Sequence, residues 1–149
     1  MEEFKNSLNT FLVNAFNSLL RIEEDQLSTG PYSNLSVREM HVIETVVNLG
    51  QENTAKKIAR ELNITRGSLT TAVSTLEKKG MLKRVTDEKD KRVVKIFPTD
   101  EAKKAYRHHM KFHDELVEAV TNSMTLQELE ILARGLDKVR RFFDSKREL

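Results

Sequence analysis

The sequence predicts a mainly α-helical fold that contains a helix-turn-helix followed by a two-stranded β-wing. Only 5 Gly and 2 Pro interrupt the 149 residues, which favours long helices. Apolar residues recur at helical spacing along most of the chain. Two short segments rich in Leu, Val and Ile flank a charged stretch, which is the pattern of a β-hairpin.

The first two helices are predicted from an apolar stripe and from a cap. The stripe runs from Phe4 to Leu20 and gives way to the turn sequence 28–31 (STGP). A second helix begins after Ser36, because Glu39 follows three residues later at capping-box spacing, and it ends at Gly50.

The middle of the chain predicts the helix-turn-helix itself. Thr54 caps a short third helix, the pair at 63–64 forms a tight turn, and Thr65 caps a fourth helix that closes at Gly80. Two short helices joined this closely form a helix-turn-helix.

The last third predicts the wing and two further helices. Strands are expected over 81–85 and 92–97, with a charged hairpin tip over 86–91 between them. A long helix then runs to about Met124. Thr125, with Glu128 three residues on, begins the last helix.

These elements predict a single domain over 1–149. Residues 35–98 form its winged-helix module, and residues 1–34 and 99–149 form its dimerisation helices. The terminal helices carry apolar stripes far from the module, so we expect them to pair with a second copy. A two-fold pair then presents two copies of the fourth helix.

Composition and motifs exclude several classes. The chain has no Cys, which removes disulfides and thiol chemistry. We find no signal peptide, no apolar run long enough for a membrane span, and no phosphate loop, nucleophile elbow or metalloprotease motif. We therefore expect a cytoplasmic protein that is not an enzyme, has no cofactor and does not contact a membrane.

The net charge of +2 hides an asymmetry. Residues 54–97 hold 12 Lys and Arg against 5 Asp and Glu, whereas the rest of the chain holds 13 against 18. A basic middle between acidic flanks predicts a module that binds a polyanion. The alternative is an ordinary solvated charged surface.

The fourth helix has the side chains that a DNA major groove admits. Its core face is apolar, and its opposite face is short and rich in hydroxyls, with no acidic residue near its start. Ser and Thr are poor helix formers, so an ordinary surface helix explains this face less well. The candidate DNA-binding residues here are Thr65, Arg66, Ser68, Thr70, Thr71, Ser74 and Lys78.

The hairpin tip supplies further cations. Lys89, Lys91 and Arg92 are placed to meet a phosphate or the minor groove, and Asp90 is placed to brace Arg92. The alternative is a solvated hairpin whose charges serve no partner.

The order of these elements resembles the MarR family of bacterial regulators. The resemblance covers essentially the whole chain, and its most specific segments are SLTTAVSTLEKKG and TDEKDKRVVKI. Four shorter pieces (RIEE from 21, VREMH from 37, LTT from 69, FH from 112) look closest to FabT-like repressors of fatty-acid synthesis genes.

The resemblance carries functional implications. It implies binding to a near-palindromic operator, with contacts from Thr65, Arg66, Ser68, Thr70 and Thr71 and with Arg92 in a minor groove. It also implies that acyl-acyl carrier protein acts as a co-repressor.

An effector site is expected on the scaffold. The first and fifth helices carry more large apolar residues than a packed pair needs, and the resemblance favours an acyl tunnel between them. The alternative is plain dimer core. The candidate effector residues are Phe11, Phe16, Leu19, Leu20, Tyr106, Met110, Phe112 and Leu116.

The histidines leave an alternative function open. His109 and His113 lie four residues apart on one predicted helix, and His41 on the second helix could join them as zinc ligands. The alternative function is thus a zinc-responsive MarR-type regulator. Against it, the chain has no Cys, and Met40 stands where a carboxylate would help. Structural histidines are also common.

Overall fold

A computed structural model describes residues 1–88 and 90–147. The element order is α1 (Glu2–Thr29), α2 (Val37–Leu49), a short 3-10 helix (Gly50–Glu52), α3 (Ala55–Glu61), α4 (Arg66–Lys78), β1 (Leu82–Thr86), β2 (Val94–Pro98), α5 (Asp100–Asn122) and α6 (Leu126–Arg147). The predicted class, mainly helical with a two-stranded antiparallel wing, is confirmed.

Two compact units divide the chain. The first runs from Met1 to His109, and the second begins at Met110. The core of the first unit is built by α2, α3, α4 and the base of the wing, around the fully buried side chains of Met40, Ile43, Ile58, Leu76 and Ile96. The prediction of one domain, with its module at 35–98, stays a prediction.

Caps begin the helices where the sequence predicts them. Ser36 and Glu39 form a complete capping box, with the backbone N–H of Ser36 donating to Glu39 Oε2 over 2.8 Å. The side chains of Thr54 and Thr65 accept backbone N–H bonds at the starts of α3 and α4. In the second unit, Thr125 donates to Glu128 over 2.8 Å. Each cap satisfies donors that a helix end leaves free.

The helix-turn-helix owes its tight turn to one residue. Asn63 has a φ of 53°, in the left-handed region that Asn tolerates better than most non-glycine residues. The N–H of Ile64 then donates to the carbonyl of Ala59 over 3.0 Å, which closes the turn between α3 and α4.

The predicted strand bounds were wrong by one or two residues. Met81 does not begin a strand, because its N–H donates to the carbonyl of Leu76 over 2.8 Å and Gly80 has a φ of 72°. Both features belong to the motif that ends α4. Arg92 lies in the hairpin tip, where Val93 N–H donates to the carbonyl of Asp90.

The fifth helix is also shorter than predicted. It ends at Asn122 rather than near Met124, because the chain must leave the helical conformation before the capping residue Thr125. No helix in the described part of the chain is both long enough and apolar enough to cross a membrane.

Candidate nucleic-acid interface

The predicted recognition helix, α4, has one buried and one open face. Leu69, Val73 and Leu76 are buried on the core side. On the other side, the candidate residues Thr65, Arg66, Ser68, Thr70, Thr71 and Lys78 are exposed, and Ser74 is partly exposed. The structure therefore brings the short polar side chains together on one open surface of a single helix.

The hydroxyls on this face are held by the helix itself. Thr70 donates to the carbonyl of Arg66 over 2.8 Å, Thr71 to Gly67 over 3.2 Å, and Ser74 to Thr70 over 2.9 Å. Back-bonding of this kind fixes each side-chain rotamer. The oxygens keep acceptor capacity, and the threonine methyls are available to apolar groups.

A cationic cleft separates the start of α4 from the wing. It has a volume of about 360 Å³ and is lined by the first residues of α3 and α4 and by 92–94 of the wing. Lys56 and Arg66 line it, and Arg92 stands at its rim with 93% of its side chain exposed. Lys56 was not among the residues predicted from the sequence, although its place in the run AKKIAR after the Thr54 cap was the available signal.

Arg84, also not singled out from the sequence, joins the wing to the recognition helix. Its guanidinium pairs with the carboxylate of Glu77. The Nη2 atom donates to the carbonyl of Thr70 and to Oγ of Ser74, each over 2.9 Å. The alternation of β1 indicates which face Arg84 takes, but not the residue of α4 that it meets.

The hairpin tip is shaped by two carboxylates. Oδ1 of Asp90 accepts from the backbone N–H of Arg92 over 3.0 Å and from its Nε over 3.3 Å. Asp87 Oδ1 accepts from Asp90 N–H over 3.1 Å, and its Oδ2 lies 3.1 Å from Lys95 Nζ. The predicted contact between Asp90 and Arg92 is present. Lys91 is exposed, and Lys89 lies outside the described residues.

The effector candidates fall in both units. Phe11, Phe16 and Leu20 on α1 are exposed, and Leu19 is partly exposed. Tyr106 belongs to the first unit and donates from its hydroxyl to Asn48 over 3.0 Å. Met110, Phe112 and Leu116 belong to the second unit, where Leu116 is exposed.

Two of the histidines lie beside a carboxylate that was not predicted from the sequence. Glu23 is 3% exposed. Its Oε2 lies 3.5 Å from Nε2 of His41, and its Oε1 lies 3.8 Å from Nε2 of His109. One potential ligand atom from each of His41, Glu44 and His109 also lies within 4.8 Å of the others. The third candidate, His113, belongs to the second unit.

A helix-turn-helix whose second helix shares a cationic cleft with a β-wing defines the protein as a winged helix-turn-helix. The chain belongs to the MarR family, whose sequence model matches residues 35–94. It is similar to Streptococcus pneumoniae FabT, solved in complex with DNA, with a TM-score of 0.84 and 31% identity over 95% of this chain and 98% of that chain.

Two curated relatives match over a shorter stretch. The chain is 28% identical over 86 residues to the uncharacterized HTH-type transcriptional regulator YybA of Bacillus subtilis, which is 58% of this chain and 57% of YybA. It is 33% identical over 86 residues to the transcriptional regulator AdcR of Streptococcus pneumoniae, which is 56% of this chain and 59% of AdcR. The chain thus matches somewhat more than half the length of these relatives.

Proposed function

We propose that the protein is a sequence-specific DNA-binding transcriptional regulator. The observation that carries the proposal is the cleft in which Lys56 and Arg66 face the wing, with Arg92 at the rim. Cations from three separate elements around one opening match the track of a phosphate backbone. The hydroxyl face of α4 lies beside that cleft and has the short side chains that base readout in the major groove requires.

The helix and the wing have different roles in this proposal. Arg66 and the exposed threonines of α4 read base edges, because first-turn side chains of a recognition helix reach furthest into the groove. Arg92 reaches the adjacent minor groove or a phosphate, and a phosphate attracts an arginine whatever the base sequence.

The active species is a homodimer. Large apolar side chains remain exposed on α1 and α6, among them Phe4 at 67%, Phe11 at 65% and Leu126 at 74%. Exposed apolar surface of this kind is typical of an interface. A two-fold pair presents two copies of α4 to a near-palindromic operator.

The DNA proposal is tested by selection from genomic DNA. Fragments of the source genome that the purified protein retains are sequenced, and the protected bases are mapped by footprinting. We expect an enriched, near-palindromic site protected in two adjacent major grooves. Retention without enrichment, or no retention at physiological salt, would contradict the proposal.

The finer proposal is repression of fatty-acid synthesis genes with acyl-acyl carrier protein as co-repressor. It is supported by the 31% identity to FabT over nearly the whole chain and by the exposed apolar residues of α1. Burial of an acyl chain contributes about 0.8 kcal/mol per CH₂. Operator affinity should therefore rise with chain length when long-chain, short-chain and unloaded carrier proteins are compared. Equal affinity with all three would exclude the co-repressor and leave DNA binding intact.

A second candidate function is zinc sensing. It is considered because the fold brings the carboxylate of Glu23 close to His41 and His109. Imidazole and carboxylate ligands together suit Zn²⁺. The test is the zinc content of purified protein and of the variants Glu23→Gln and Glu24→Gln, since Glu24 is an exposed neighbour on the same helix. One zinc per chain, lost only in Glu23→Gln, would support sensing. Less than one zinc per chain, with operator binding unchanged by a chelator, would exclude it.

A further inference from the structure

The hydroxyls on the open face of α4 differ in the hydrogen-bonding function that each has left for a partner. A hydroxyl carries one donor hydrogen and two acceptor lone pairs. Thr70 donates its hydrogen to the carbonyl of Arg66 over 2.8 Å, and Thr71 donates its hydrogen to the carbonyl of Gly67 over 3.2 Å. Both threonines are exposed, so each presents acceptor lone pairs and a methyl group rather than a donor.

Ser74 differs from these threonines, because the wing also engages its acceptor side. Its Oγ donates to the carbonyl of Thr70 over 2.9 Å and accepts from Nη2 of Arg84 over 2.9 Å. The ion pair of Arg84 with Glu77 holds the guanidinium in this position. The hydroxyl of Ser74 therefore belongs to the joint between the wing and α4, whereas the oxygens of Thr70 and Thr71 face outward.

The composition of α4 makes these oxygens its main acceptors. The helix contains no Asn, Gln or Asp, and the carboxylate of Glu77 is paired with Arg84. Donors come instead from the first turn, where the guanidinium of Arg66 carries N–H groups and no acceptor. To donate to a base, a threonine would exchange its bond with the helix for an equivalent one, whereas to accept from a base adds a bond.

Base edges in the major groove are divided by the same property. Adenine N6 and cytosine N4 are amine donors, whereas guanine N7 and O6 and thymine O4 are acceptors. We propose that Thr70 and Thr71 read the operator as hydrogen-bond acceptors, each from the exocyclic amine of an adenine or a cytosine. This inference rests on the proposed function, and it adds the class of base that this part of α4 selects.

The test is a double-mutant cycle between the intact protein and its selected operator. Protected adenines are replaced one at a time by purine and protected cytosines by 2-pyrimidinone, since each analogue lacks the exocyclic amine. The protein variants are Thr70→Val and Thr71→Val, which replace the hydroxyl by a methyl group. An analogue at the contacted base should weaken wild-type binding by about two- to tenfold and should not weaken the matching valine variant further. The two sets of analogues distinguish adenine from cytosine.

Two controls separate a base contact from a structural effect. Ser74→Ala should leave the sensitivity to every amine-lacking analogue unchanged, because Arg84 already occupies the oxygen of Ser74. The 7-deaza analogues of adenine and guanine lack the N7 acceptor, and they should weaken the wild type and both valine variants by the same factor. The same duplexes are used with every variant, so changes in duplex stability cancel.

Two results would overturn the proposal. Coupling of Thr70→Val or Thr71→Val to a 7-deaza analogue would show that the hydroxyl donates. Absence of coupling at every protected base would show that neither hydroxyl contacts a base. In both cases the wild type would still prefer the operator to random duplex. A wild type without that preference would contradict the proposed function, and this inference with it.

Discussion

The guanidinium of Arg84 on the wing pairs with the carboxylate of Glu77 in the recognition helix. The same arginine donates to the carbonyl of Thr70 and to Ser74, so one side chain spans two turns of α4. The backbone N–H of Arg84 also donates to Glu77 over 3.0 Å. The wing and the recognition helix are therefore fixed to each other by a charged, multidentate contact.

Loss of this contact should impair recognition of the operator. Arg84→Met should weaken operator binding by about 1–3 kcal/mol, because the helix loses the anchor that sets its angle to the wing. Arg84→Lys keeps the charge but cannot span the same acceptors. This variant should therefore bind the operator more weakly while its affinity for random DNA is unchanged. Fluorescence anisotropy on both duplexes measures this. An operator affinity restored by lysine would show that charge alone matters at this position.

Lys56 should contribute a phosphate contact. In a dimer, Lys56→Gln should reduce the slope of log K against log salt by about 1.8, or about 0.9 for each of two lost contacts. Lys57→Gln is the matched control, because Lys57 follows directly and is already paired with Glu52. Equal slopes for the two variants would show that Lys56 does not contact a phosphate.

Glu39 should make stability depend on acid pH. Burial alone would raise its pKa, but hydrogen bonds from Lys79 and from Ser36, with the charge of Lys79, lower the pKa below the ordinary 4.5. The carboxylate therefore contributes its full stabilisation above about pH 4.5, and this contribution is lost as the pH falls through the lowered folded-state value.

Glu39→Gln should remove that acid dependence and lower the free energy of unfolding at neutral pH by about 1–2 kcal/mol. Denaturant melts between pH 3 and 7 measure both effects. Glu118→Gln, on an exposed position of α5, is the control. A Glu39→Gln protein that loses stability in acid as steeply as the wild type would contradict this assignment.

Alanine substitution at two glycines should change the free energy of unfolding in opposite directions. A Cβ at Gly30 would lie 2.7 Å from the carbonyl oxygen of Gln26 and 3.3 Å from Nε2 of His108. Gly30→Ala should therefore destabilise the protein by about 1–3 kcal/mol. A Cβ at Gly135, within α6, meets nothing within 4 Å, so Gly135→Ala should stabilise by about 0.5–1 kcal/mol. Chemical unfolding at fixed protein concentration checks both signs, and equal signs would contradict the packing around Gly30.

The sequence predicted what is decided locally. Ser36 and Thr65 bond to backbone groups three residues away, so their caps can be read from spacing alone. The contact of Asp90 with Arg92 is equally local. Each of these features follows from residues that no alternative packing could separate.

Two of the missed residues, Arg84 and Glu23, act across elements. Arg84 lies 14 residues from Thr70, and Glu23 meets a histidine from α2 and another from α5. Such pairs depend on how the helices cross, which periodicity does not encode. The one-residue error at Met81 is different, because its N–H donates locally to the carbonyl of Leu76 and belongs to the end of α4 rather than to the wing.

The central claim is that α4 reads sequence while the wing supplies affinity, and one ratio tests it most directly. The Kd for random duplex is divided by the Kd for the selected operator, for the wild type and for Arg66→Ala and Arg92→Ala. Arg66→Ala should lower this ratio by an amount equivalent to roughly 1–3 kcal/mol of binding free energy. Arg92→Ala should weaken binding to both duplexes and leave the ratio unchanged. If Arg66→Ala weakens the two duplexes equally, α4 does not read the operator and the account is wrong.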